Sequence, residues 1–390
     1  MDIAARARSE FDEIRRLRRD FHAHPELSFQ EERTSRAAAE YLEGLGLTLT
    51  RPRGMHGFWA DLEVPGAGET LLFRADMDAL AMDEAPAPTK EAFLSREPGM
   101  AHCCGHDAHT AMLLGAARLL ASGKVKPRRN VRFLFQHAEE SPPGGAAELI
   151  EAGCLEGVDL AFGLHVLPQV PSGCFALLAG PVMAAADNFT ILVRGRGGHA
   201  AMPHLLRDPV PAAAQVVTAL QALVSRRADP LESLVISIAT IRGGSGTHNV
   251  IPSTVELKGT ARTLSKERRA GLPRLLEETA AAAAATLGCR AETDYQEGYP
   301  VLANDPGAFE RGRKIVLELF GPEALFPGAR PLMGGEDFAR YAQVVPSLFA
   351  FLGTGAPEKG ISAPLHSPRF DLDEEALPRG TAWFAGLASL

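Results

Sequence analysis

The sequence predicts an α/β protein: a sandwich on a mixed, mostly parallel sheet, interrupted by an inserted α+β ferredoxin-like domain. Three observations carry this. Between 58 and 166, apolar strand-like runs alternate with segments of helical period, the order that covers a parallel sheet with helices. Near 180 the order becomes strand-helix-strand-strand-helix-strand, a split βαβ arrangement. From about 296 the earlier alternation resumes. One domain is therefore expected over 1–181 and 295–390, and the insertion over 182–294.

Each element has a local reason. Ile3, Ala7, Phe11, Ile14, Leu17 and Phe21 recur at helical spacing and predict one opening helix, ending before His24-Pro25. A second helix is expected from about 31 to 45, with Gly46 just past its end. Segments 58–63 and 70–75 read as strands, 107–121 as a helix, and 131–137 as a buried strand. A short helix at 146–152 and a strand at 159–166 follow. In the insertion, 187–194, 233–241, 252–263 and 289–295 read as strands, with helices at 208–226 and 266–287. Helices at 305–319 and 335–342, a strand at 347–353 and a helix at 373–390 complete the chain.

Composition excludes several classes. At 46% hydrophobic and 23% charged, the 390 residues are ordinary globular usage, not disordered or collagenous. Forty basic residues against 48 acidic ones give −8, with no basic run, so no nucleic-acid partner is expected. Five cysteines are too few, and odd in number, for a disulfide scaffold. No run of 18 apolar residues appears, and the first twenty residues carry charge throughout, unlike a signal peptide. The expectation is a cytoplasmic protein without a membrane partner.

The densest chemistry lies in His102-Cys103-Cys104-Gly105-His106-Asp107-Ala108-His109, with three His, two Cys and an Asp in eight positions. Thiolate and imidazole are natural ligands for zinc-like ions. The cluster alone also fits a Cys/His-rich loop whose Asp107 caps the next helix. Glu139-Glu140 follows the strand at 131–137, and ligands gather at the carboxyl ends of such strands. Adjacent strand residues point to opposite faces, so a division into one ligand and one base is the economical reading. Two solvated carboxylates are the alternative. His165 ends an apolar strand and His366 lies in Leu365-His366-Ser367-Pro368. Each is unremarkable alone. Gly197-Gly198-His199, Asn249-Val250-Ile251-Pro252, Gly259-Thr260-Ala261-Arg262 and Met333-Gly334-Gly335-Glu336-Asp337-Phe338 are further signals.

Taken in order, the motifs make a specific pattern. They start at Arg19-Asp20-Phe21-His22-Ala23-His24-Pro25-Glu26 and run through Arg74-Ala75-Asp76-Met77-Asp78-Ala79-Leu80 and Cys104-Gly105-His106-Asp107-Ala108-His109. They end at His366-Ser367-Pro368-Arg369-Phe370. Over essentially its whole length the chain resembles the aminoacylase/carboxypeptidase family of co-catalytic metallopeptidases. The branch is that of hippurate hydrolases, plant auxin-conjugate hydrolases and diaminopimelate deacetylases. The resemblance implies a zinc-exopeptidase-like catalytic domain and an inserted lid and dimerisation domain.

The resemblance also implies roles. Cys104 would bridge two divalent ions, with His106 and His165 on one and Glu140 and His366 on the other. Glu139 would be the general base, and Asp76 would stand beside the ligands. A bridging water would complete two roughly tetrahedral ions. Thiolate, imidazole and carboxylate together do not select one metal; manganese or zinc is expected, with cobalt or nickel as alternatives. His199 would stabilise the oxyanion, reaching a partner's site, and Asn249 with Arg262 would clamp the substrate carboxylate. The implied activity is hydrolysis of N-acyl amino acids. A dipeptidase, carboxypeptidase or aryl-amine hydrolase on the same site is the alternative, and a homodimer or homotetramer is implied. Three positions depart from the branch: Cys103 where Ala is usual, His137 where Pro is common, and Gly335 where Ser is common.

Overall fold

The computed structural model describes residues 2–390. The chain forms two compact units. One runs up to Gly180 and takes in Ala303–Arg330 and Asp337–Leu390; the other comprises Pro181–Leu302 and Pro331–Glu336.

The first unit is built on a seven-stranded sheet. Its order is Thr48–Thr50, Phe58–Leu62, Asn130–Gln136, Thr70–Asp76, Leu160–Pro171, Ser347–Gly355, Phe175–Ala176. The four strands from Asn130–Gln136 to Ser347–Gly355 pair in parallel, and the pairings at both edges are antiparallel. The sheet is thus mixed, with a parallel centre. Asp76 pairs with Gln136, so these two strands end level, and the turns beyond them open at one edge of the sheet.

The helix His106–Ala121 is apolar almost all round, which suits a helix covered on every side. It packs on Thr70–Asp76 and against the helices Phe11–Ala23 and Leu377–Ser389. Gly115 marks the closest approach: a Cβ there would stand 2.9 Å from Ile14 Cγ1 and 3.0 Å from Thr381 Oγ1.

Several boundaries differ from the sequence reading. The opening helix is two helices, Ile3–Ser9 and Phe11–Ala23. Glu10 leaves helical geometry between them, and its buried carboxylate meets Arg118 Nε at 2.8 Å and Lys124. Of 335–342 only Ala339–Ala342 is helical, because Asp337 is turned inward onto Arg74 and Gln136. The last helix begins at Leu377, after a 3-10 turn over Glu374–Ala376 that Asp373 caps. The strand at 159–166 continues to Pro171 because Ser347–Gly355 pairs along it.

The second unit holds a four-stranded antiparallel sheet. Its order is Leu234–Gly243, Thr254–Thr263, Ala185–Arg194, Arg290–Tyr299. In chain order this is second, third, first, fourth, with helices Pro209–Arg226 and Lys266–Ala285 in the connections, the ferredoxin-like arrangement. Val216, Leu220, Leu272 and Leu276 from the helices bury against Ile191, Ile236 and Leu257 from the sheet. Leu332 joins this unit by exchanging hydrogen bonds with Val182 and Ala184. Among the described residues, no helix is long and apolar enough to cross a membrane.

Candidate metal centre

The parallel centre of the first unit delivers its chain turns to one edge. Cys104 and His106 sit where a loop enters the helix His106–Ala121, with Gly105 as the cap at φ 92°. Only glycine serves there: a Cβ would meet Val166 Cγ2 at 2.3 Å, and the left-handed backbone is costly for other residues. His165 lies on Leu160–Pro171, and Glu139-Glu140 follow Asn130–Gln136 after Ala138, whose φ is 52°. His366, also left-handed at φ 60°, is tied by its N–H to Cys103 O at 2.8 Å.

These residues converge. Atoms of Cys104, His106 and His165 lie within 4.8 Å of one another, as do those of Cys104, Glu140 and His366, and of His106, Glu139 and Glu140. Ligand atoms about 2.0–2.3 Å from one ion lie within about 4.6 Å of each other, so the spacing suits ions between them. The two cysteine-containing groups share Cys104. Both carboxylates of the Glu pair reach His106, because the left-handed turn at Ala138 ends strand alternation before the pair.

The donors are arranged to accept a cation. His165 Nδ1 donates to Val166 O at 2.6 Å, which leaves the Nε2 lone pair facing Cys104 Sγ at 3.4 Å. Burial, reinforced by His109, holds His165 neutral. His106 Nδ1 donates to Asp78 Oδ1 at 3.2 Å, and its Nε2 is buried with no hydrogen bond among the described residues. Glu140 Oε1 is likewise without one, at 3.2 Å from His366 Nε2. Burial disfavours a charged His106, yet the carboxylates of Asp76, Asp78 and Glu140 push its pKa up to about 10. Burial, then Glu140 and Glu139, push the Cys104 thiol well up. Donor atoms without a hydrogen bond among the described residues, amid concentrated negative charge, fit bound divalent ions, which would release both protons.

Asp76 and Asp78 hold the histidines of the cluster, His109 and His106. Asp76 Oδ1 accepts from His109 Nδ1 at 2.6 Å, and Oδ2 accepts from Arg74 at 2.5 Å. Burial opposes ionisation of Asp76, but His106, Arg74 and His109 hold its pKa well below the usual carboxylate range. Arg74 itself is buried and bridges Asp76 to Asp337 and Gln136. Asp78 had no role in the sequence reading, yet it holds two candidate ligands: Oδ1 orients His106, and Oδ2 accepts the Glu140 N–H at 2.9 Å. The Asp-x-Asp spacing at a strand end could have signalled it, since residues two apart point the same way.

The other candidates fall elsewhere. Asp107 does not cap the helix. Its carboxylate lies inside the fold and accepts from Arg18 Nε and His22 Nδ1, both at 2.8 Å. Cys103 is buried in the hydrophobic core, whereas Cys174 is partly exposed. His137 is buried and bonded to Glu148 at 2.9 Å. His199, Asn249 and Arg262 belong to the second unit. There Arg262 Nε donates to Thr260 Oγ1 at 3.1 Å. Gly335 lies beside it, where a Cβ would stand 3.7 Å from the Arg262 guanidinium and 2.7 Å from Ala186 Cβ.

Comparison with known proteins agrees with this architecture. Residues 72–390 match the model of peptidase family M20/M25/M40. The chain is 39% identical over 373 residues to N-acetylcysteine deacetylase of Bacillus subtilis, covering 95% of each. It is 36% identical over 395 residues to thermostable carboxypeptidase 2 of Saccharolobus solfataricus, covering 100% of this chain and 98% of the relative. Among solved structures, a dinuclear metal-binding peptidase of the M20 family from B. subtilis superposes with a TM-score of 0.85 at 34% identity, covering 98% of each chain.

Proposed function

This chain belongs to peptidase family M20/M25/M40, and we propose that it is a metal-dependent amidohydrolase that cleaves N-acyl amino acids into a carboxylic acid and a free amino acid. The observation that carries the reading is the convergence of Cys104, His106, Glu140, His165 and His366 beside Glu139. Cys104, His106 and His165 would hold one divalent ion, and Cys104, Glu140 and His366 a second. This mixed donor set admits manganese or zinc, and equally cobalt or nickel. When bound, such ions polarise the scissile carbonyl and lower the pKa of attacking water from 15.7 toward about 7.

The chain's own groups do the rest. Glu139 takes the proton from the attacking water and passes it to the leaving nitrogen, work worth about 10²–10⁴-fold in rate. Asp76 and Asp78 keep His109 and His106 in one orientation and one tautomer. His199 stabilises the oxyanion. Arg262, with Asn249, binds the substrate's α-carboxylate. Its support is a half-buried guanidinium that forms no ion pair among the described residues, with the space left by Gly335 beside it.

Likeness to a carboxypeptidase over the full chain favours peptide hydrolysis on the same site as a second reading. We further propose a cytoplasmic enzyme, and a homodimer or homotetramer formed through the inserted lid domain. The edge strand Leu234–Gly243 exposes Val235 and Ile241, which suits pairing with a second copy. His199 would then act on the partner's site.

The test is a hydrolysis panel of N-acetyl, N-benzoyl and indole-acyl amino acids and dipeptides, with manganese or zinc added. Fastest turnover of an N-acyl amino acid supports the first reading. Faster cleavage of peptides gives the second, and no release of amine from any substrate overturns both.

A further inference from the structure

Three non-glycine residues of the described chain have left-handed backbones: Phe29 at φ 65°, Ala138 at φ 52° and His366 at φ 60°. Such residues are rare and persist only where their surroundings hold them. Two of the three share one anchor. The Phe29 N–H donates to Glu31 Oε1 at 3.1 Å, and the Ala138 N–H donates to the same oxygen at 2.7 Å. Glu31 is fully buried, and its other oxygen has no hydrogen-bond partner among the described residues.

We propose that Glu31 is a positioning residue for the Glu139-Glu140 turn, its Oε1 holding Ala138 in the left-handed conformation that aims both carboxylates at the metal centre. The assignment rests on the reading of Glu139 as base and Glu140 as ligand.

The surrounding contacts make the segment a brace. Ser28 Oγ donates to Asp78 Oδ2 at 2.7 Å, and the Glu140 N–H donates to that same oxygen at 2.9 Å. Leu27 bridges Ala79, whose N–H donates to Glu26 O. The short run from Leu27 to Glu31 thus grips the Asp78 turn and the Ala138 turn together. Asp78 fixes Glu140 from one side through its own N–H, and Glu31 fixes the residue before the pair. Without Glu31 the Ala138 N–H would be buried and unpaired, and the backbone would gain by leaving the left-handed region. The two carboxylates that follow would move with it.

A carboxylate is not required for this work; an acceptor oxygen at that point is. Burial raises the Glu31 pKa to about 8, with the Asp78 charge adding to it, yet Oε1 accepts both N–H groups in either protonation state. The amide of glutamine supplies the same acceptor, and methionine removes it.

The test compares Glu31→Gln, Glu31→Met, Ala138→Gly and the pair Glu31→Met with Ala138→Gly. Three readouts are taken: kcat and KM on N-acetyl-L-methionine, cobalt(II) affinity of the metal-free protein, and thermal unfolding. A displacement near 1 Å costs about 10²-fold in rate, so Glu31→Met should lose about 10²-fold in kcat with KM little changed. Loss of a group that orients a ligand costs about 10–100-fold in metal affinity, so one of two cobalt equivalents should weaken by that range. Glu31→Gln should stay near wild type in both. Glycine adopts the left-handed turn without steric cost, so Ala138→Gly should restore part of the kcat lost in Glu31→Met.

A Glu31→Met protein that melts earlier yet keeps wild-type kcat and cobalt affinity would make Glu31 a stabilising residue only and overturn the proposal. So would a double variant that regains stability but no kcat. If Glu31→Met does not fold, Glu31→Asp, whose shorter reach cannot serve both N–H groups, carries the same comparison. A wild-type protein that binds cobalt but hydrolyses no N-acyl amino acid would sink the functional reading alone, and the cobalt affinities would still decide the role of Glu31.

Discussion

The backbone N–H of Val166 donates to His109 Nε2 at 2.9 Å, which places the imidazole proton on Nδ1, facing Asp76 Oδ1 at 2.6 Å. His109 therefore ties the strand that carries His165 to the carboxylate beneath His106. Replacing it with Ala leaves a buried N–H and a buried carboxylate oxygen short of a partner. The expected loss is about 1–3 kcal/mol in stability, read by urea unfolding, together with weaker cobalt(II) uptake. Unchanged stability and uptake would show that water takes over both bonds.

The Glu pair should divide its work. Glu139→Gln is expected to keep metal content and substrate affinity but to lose about 10²–10⁴-fold in kcat. Glu140→Gln is expected to lose metal, measured by elemental analysis after gel filtration. The opposite pattern would reverse the two assignments.

Removing the ions with a chelator should abolish hydrolysis while the far-ultraviolet circular dichroism persists. The first unit has a large apolar core, so metal is not needed to fold it. Activity should return with manganese or zinc. Full activity in a protein shown to be free of metal would end the metal-dependent reading.

Acid should weaken the fold partly through Glu84. Burial opposes its ionisation, but His22, Lys90 and the Ser95 N–H lower its pKa from 4.5 to about 2. The folded state thus binds fewer protons than the unfolded chain between these values. The stability it contributes is present above about pH 4.5 and is lost as pH falls toward 2. Urea midpoints measured from pH 6 to pH 2.5 should fall less steeply for Glu84→Gln than for wild type. Parallel slopes would remove Glu84 from the acid response.

Arg262→Ala should lower kcat/KM on N-acyl amino acids by the equivalent of about 2–5 kcal/mol, the cost of breaking a buried charge pair. Matching amides and methyl esters lack the negative charge and should lose far less. Equal losses on both substrate classes would leave Arg262 with a structural role.

Local pattern was enough to predict most elements, because amphipathic period and turn residues act over a few positions. The strand-helix order of the second unit, the parallel centre of the first and the buried helix after Gly105 were all legible in this way. The set Cys104, His106, Glu139, Glu140, His165 and His366 came from the resemblance carried by the ordered motifs, since His165 and His366 are each unremarkable in their local sequence. Boundaries failed where a distant partner overrode propensity. Glu10 breaks the opening helix to reach Arg118 and Lys124, and Asp337 turns in to Arg74 instead of starting a helix. Only the tertiary structure decided which residues hold the candidate ligands in place. The Asp78–His106, His109–Val166 and Glu31–Ala138 bonds join positions 28 to 107 apart, a separation that local pattern does not read. The left-handed turn at Ala138 has the same origin: alanine has no local preference for it, and a buried carboxylate from another part of the chain imposes it.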